Sequence, residues 1–215
     1  MRRSFASLSN HHLLLAALLV VTIAFSAFGG GISADAVGKG TLVAWLSGFD
    51  LEGAIEGTIR LEGELATDEG EMFPFEVEGT LRGFGVSGIL TSLTEGWIGF
   101  EAEGRTDDGE AILVFGLLYT SRISVVPLEA DAMFVGTYRA NVTLGDARHS
   151  FSGDFTGSVD GGVEEAETPG TIQFGGSGAI RLDGEVGDAM PPTPLDRSAL
   201  PEGFLRYLAE LGFVT

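Results

Sequence analysis

Cysteine is absent, and of three histidines two, His11 and His12, stand near the start, so only His149 serves the rest of the chain. Without thiols there can be no disulfide, no cysteine nucleophile and no lipid anchor on sulfur. A zinc site built from several nitrogen or sulfur ligands also lacks its raw material. A serine triad would have to use His149, and no Gly-x-Ser-x-Gly elbow accompanies it. Lysine is reduced to Lys39, within a balance of 31 acidic to 12 basic residues and a net charge of −19. Nucleic acid and anionic membrane surfaces are therefore poor partners. The acidity suits either a high-salt habitat or a G+C-rich genome with an acidic envelope protein, and the second reading is preferred. Tyrosine and tryptophan are scarce, at three and two, which leaves little for the aromatic girdles of a membrane barrel.

Arg2 and Arg3 open a basic segment, and Leu13 to Phe28 is apolar apart from Thr22 and Ser26. The apolar run is about 16 residues, short of the roughly 20 that cross a bilayer as a helix. Ala34-Asp35-Ala36 then supplies the small residues that a signal peptidase needs. Residues 1–36 are expected to be a signal peptide cut after Ala36, touching the membrane only before its removal. Arg2-Arg3-Ser4-Phe5 also suits a twin-arginine signal, so the sequence leaves the export route open. The destination is periplasmic, cell-surface or extracellular.

The stretch from Glu56 to Phe75 reappears as Glu95 to Val114. Glu56-Gly57-Thr58-Ile59-Arg60-Leu61 matches Glu95-Gly96-Trp97-Ile98-Gly99-Phe100, and Thr67-Asp68-Glu69-Gly70-Glu71 matches Thr106-Asp107-Asp108-Gly109-Glu110. Each copy reads as a strand, a tight acidic turn and a returning strand. A repeated meander must hide its edges, which means a closed barrel or a sandwich.

Period-two alternation runs through the chain. Ile59, Leu61, Gly63 and Leu65 face one way while Thr58, Arg60, Glu62 and Glu64 face the other, and later segments repeat the design. Glycine recurs on the apolar side beside phenylalanine. Small beside large is how the concave face of a curved sheet fills without clashes. Candidate strands at 39–47, 54–66, 71–82, 84–92, 96–106, 110–119, 122–127, 131–144, 148–160 and 169–184 predict an all-β fold. An antiparallel meander of about eight to ten strands closes into a barrel or sandwich and is followed by a short C-terminal α-helix. The expected layout is a barrel over 37–186, a Pro-rich tether over 187–200 and the helix over 201–215.

Ala111 to Tyr119 is apolar on both faces, so something must cover its outer side. The C-terminal segment is the nearest candidate: Pro201 suits a first turn, Gly212 a stop, and Phe204, Leu205, Leu208 and Leu211 form a stripe. A partner, or a second copy making an oligomer, could use the same surface, with Leu113, Phe115, Leu117, Phe204 and Leu208 as its contacts.

Phe73, Phe75, Phe100, Phe134, Tyr138, Phe151, Phe155 and Phe174 are expected to line the interior, as core or as the wall of a ligand site. The two acidic turns offer oxygen ligands for calcium, yet Asp-Gly turn chemistry explains them without a metal. No catalytic residue, metal ligand or cofactor is assigned. The carboxylates that could make a hydrolase or isomerase alternate with core residues as a solvated face does. The leading expectation is a non-catalytic exported envelope protein binding a small apolar molecule or a protein partner. A self-assembling structural or adhesive protein comes second and an outer-membrane barrel third.

Overall fold

A computed structural model describes residues 30–48, 50–67, 71–88, 94–125, 132–164, 168–186 and 200–214. Its strands are β1 (Gly31–Ser47), β2 (Asp50–Ala66), β3 (Met72–Gly88), β4 (Thr94–Thr106), β5 (Ala111–Val125), β6 (Ala132–Leu144), β7 (Ala147–Glu164) and β8 (Thr171–Val186), followed by helix α1 (Glu202–Glu210). Each strand pairs antiparallel with the next, and β1 pairs with β8, so the sheet closes on itself. The all-β meander with a C-terminal helix is thus observed, and of the two closures expected it is the barrel, with eight strands.

Two strand boundaries drawn from the sequence disappear. The candidate at 71–82 and the described part of the candidate at 84–92, up to Gly88, run together as one strand, β3. Phe84 is buried on the outer face, which interrupts the simple pattern of polar outside and apolar inside. The candidate at 110–119 and the described part of the candidate at 122–127, up to Val125, are likewise one strand, β5, with a register shift between Thr120 and Arg122. A bulge there reverses the alternation without ending the pairing.

The third correction concerns the start of the barrel. β1 begins at Gly31, six residues ahead of the expected boundary at 37, and those residues pair with both β2 and β8. Ile32, Ala34 and Ala36 belong to the core. Residues 1–29 of the expected signal peptide and 187–199 of the expected tether lie outside the described residues.

Inside the ring one apolar cluster runs from Ile32 and Leu65 through Phe100 and Val114 to Phe155 and Leu182. Glycines face aromatic rings across strands: Phe100 opposes Gly116, Phe155 opposes Gly136, and Phe134 opposes Gly157. A Cβ at Gly116 or Gly157 would collide with the facing ring. The missing side chain is therefore the space that the ring occupies. Phe134 and Phe155 meet edge to face with centroids 5.9 Å apart.

The outer face is acidic and solvated. Arg60 reaches Glu76 at 2.6 Å and Glu78 at 3.9 Å, and Arg82 reaches Glu56 at 3.8 Å. All five side chains are more than half exposed, so each pair contributes at most about 1 kcal/mol.

The repeated turns are built alike. Thr67 N–H donates to Glu71 O at 2.9 Å, and Thr106 N–H to Glu110 O at 2.9 Å. Each threonine hydroxyl in turn accepts from the backbone of its glutamate. Gly109 takes the positive φ of 87° that such a turn requires.

Candidate ligand site and the ends of the barrel

Alternation aims every second side chain inward, so the ends of the barrel are defined by the inward residues nearest each set of turns. At the end where β2–β3, β4–β5 and β6–β7 turn, an open depression of about 360 Å³ is lined by Thr67, Glu71, Phe73, Glu110, Leu144, Ala147 and His149. Its base is apolar, through half-buried Phe73 and buried Leu144, and its rim carries two exposed carboxylates. His149 stands at this rim, beside the Phe151 ring at 6.3 Å. The repeat thus brings two of its acidic turns to one mouth with the lone downstream histidine. Among the described residues no group of three or more potential ligands is placed to hold a metal ion. The residues Asp68, Glu69 and Gly70 of the first acidic turn lie outside the described residues.

Below this mouth the barrel is filled. Phe75, Phe100, Tyr138, Phe151 and Phe155 are buried together in the core, with Phe100 at 0 % exposure. They occupy the space that a ligand would need at this level. Phe134 is buried nearer the other end, and the Phe174 side chain lies outside the described residues.

The opposite end, where β1–β2, β3–β4, β5–β6 and β7–β8 connect, differs in two ways. First, its inward aliphatic residues Leu42, Ile55, Ile98 and Val159 are half-buried, whereas Ile59, Leu81, Leu118 and Ile180 farther down are buried. These side chains are part-exposed while Ile55, Ile98 and Val159 still pack against the core, and Ala44, Phe134 and Thr120 of the same end are buried. Second, glycine dominates the wall between them. Ile55 and Ile98 lie over Gly83, whose added Cβ would sit 3.3 and 3.1 Å from them, and Leu42 lies over Gly53 at 2.7 Å. Among the described side chains, no inward position of this half is charged; Ser87 and Thr120 are the polar ones, and the Thr120 hydroxyl donates to Val135 O at 2.7 Å. A charge-free, aliphatic, glycine-rich end of a barrel has chemistry for apolar matter and none for ions.

The outer face of β3–β5 is the third surface of interest, and α1 covers it. Phe204, Tyr207, Leu208 and Leu211 pack on Phe84, Trp97, Leu117 and Tyr119. Gly99 makes the close approach: a Cβ there would lie 2.9 Å from Tyr207 and 3.1 Å from both Leu208 and Leu211. The Tyr207 hydroxyl donates to Gly99 O at 3.1 Å, and the Arg82 guanidinium stands 5.3 Å from its ring centroid. Burial pushes the Tyr207 phenol up from 10.0 to about 12, against the opposing pull of Arg82. The Trp97 indole N–H is buried there without a hydrogen-bond acceptor among the described residues. Gly212, at φ 80°, ends the helix as Phe213 N–H returns to Leu208 O and Gly212 N–H to Ala209 O, a Schellman closure.

Of the five residues expected as a partner surface, Leu117, Phe204 and Leu208 are therefore buried against one another within the chain, and half-buried Phe115 packs beside them. Leu113 is half-buried and lies outside that cluster. The glycine-rich end was missed by sequence reasoning, although inward glycines near that end of β1, β2, β3, β4, β7 and β8, such as Gly40, Gly53, Gly83, Gly96, Gly157 and Gly176, are written in the chain. No protein-family description, no curated protein and no solved structure matches this chain.

Proposed function

We propose that the protein is an exported, non-catalytic barrel of the cell envelope that binds one small, uncharged, apolar molecule through the end where β1–β2, β3–β4, β5–β6 and β7–β8 connect. The supporting observation is the change in exposure along the lumen, from half-buried Leu42, Ile55, Ile98 and Val159 to a buried layer beneath. An eight-stranded barrel has an interior just wide enough for side chains or for one small ligand, and here the two share it. The filled half closes the bottom of the cup. The exposed carboxylates of the other mouth suit hydration better than acid–base chemistry, which needs groups held out of water.

Two other readings are weaker. A self-assembling envelope protein would use the apolar outer strand, and α1 already occupies much of it. An outer-membrane barrel would turn its apolar face to lipid, whereas exposed Glu62, Glu64, Glu76, Glu78, Glu101 and Glu103 point away from the core.

The test is titration with N-phenyl-1-naphthylamine, a neutral apolar fluorophore. Saturable one-to-one binding is expected in the native protein, lost in Ile98→Glu while the circular dichroism of the barrel persists. No saturable binding to the native protein, or equal binding to the variant, rules out this site.

A further inference from the structure

We propose that the signal is cut between Gly29 and Gly30, after Ala27-Phe28-Gly29, and not after Ala36. The inference rests on the export reading, but its own support is the position of β1. Gly31 to Ala36 pair on one side with Ala66 to Leu61 of β2 and on the other with Glu185 to Ile180 of β8. Ile32, Ala34 and Ala36 are 3, 3 and 1 % exposed inside the barrel.

A cut after Ala36 would remove this third of the strand that closes the ring. Leu61 to Ala66 and Ile180 to Glu185 would face each other as free edges over a core missing three side chains, and free edges invite association with other chains. The small residues that imitate a cleavage motif have another origin. A Cβ on Gly63 would lie 2.7 Å from the Cα and Cβ of Ala34. The strands approach so closely there that position 34 takes only a small inward residue, and Ala36 is the next inward, core-facing position of the same strand.

Between Ala24 and the start of β1, two trios have small residues at the last and third-last positions before a cut, Ala24-Phe25-Ser26 and Ala27-Phe28-Gly29. Ser26 still lies within the apolar run from Leu13 to Phe28, so a cut after it falls inside the membrane-seeking segment. Gly29 follows that run directly. A cut there leaves Gly30 as the single residue ahead of the first strand, and no paired residue is lost.

The experiment is to express the full chain in an exporting bacterial host and read the N-terminus of the recovered protein by intact mass. A chain beginning at Gly30 is expected, and Gly29→Leu should accumulate the uncut precursor. A chain beginning at Val37 or Ala27, or normal processing of Gly29→Leu, overturns the proposal. A native chain that stays whole inside the cell overturns the export reading itself.

Discussion

Gly136 shows what a single residue contributes to the barrel wall. An added Cβ would run into the Tyr119 carbonyl and come within 2.8 and 2.9 Å of the Phe155 ring, neither of which can retreat inside a closed sheet. Gly136→Val is therefore expected to cost about 1–3 kcal/mol as overpacking. Urea denaturation measures it, and an unchanged midpoint would mean that the inside is not packed at this level. At this scale the sequence was informative: glycine beside phenylalanine on the apolar face marked the interior, and Phe75, Phe100, Phe134, Tyr138, Phe151 and Phe155 are all there. It did not reveal Phe73 as a half-buried residue at a mouth, because alternation states which way a side chain points and not how near it lies to an end.

Among the elements, α1 has the most testable energetics. Its seat on β3–β5 includes a buried phenol whose charged form is disfavoured by desolvation, in the company of Arg82, Glu101 and Glu210. A folded pKa above the unfolded one means that the phenol's contribution to docking is complete below pH 10.0 and is lost as the pH climbs to about 12. Helix release is thus expected in that window. Trp45 and Trp97, both at the seat, report it by fluorescence. Tyr207→Phe should remove the step, and a step that survives the substitution would assign it to another group. The helix and its docking were legible beforehand, because a two-sided apolar strand and a nearby apolar stripe are complementary in composition. Strand boundaries were less so. The apolar outer residues that receive the helix, Phe84 among them, disguised β3 as two strands, since covering an outer face cancels the contrast on which alternation depends.

For the whole molecule, charge is the quantity that acts everywhere at once. Asp35, Glu62 and Glu76 stand directly across three neighbouring strands, on a chain whose net charge is −19. Like charges opposite one another weaken a sheet. Raising sodium chloride from about 10 mM to about 1 M shortens the screening length from about 30 Å to about 3 Å. The melting temperature is expected to rise over that range, as calorimetry would record. A fall would mean that the Arg60 and Arg82 pairs outweigh the repulsion. The composition, the alternation and the turn residues together settled the all-β class, the acidic outside, the apolar inside and the terminal helix, because each is a property of a few adjacent residues. Closure into eight strands, the beginning of β1 at Gly31, and the burial of the aromatic layer inside the lumen were settled only by tertiary structure. These depend on which distant segments pair, and above all on β1 meeting β8 from opposite ends of the barrel sequence, for which local periodicity carries no signal.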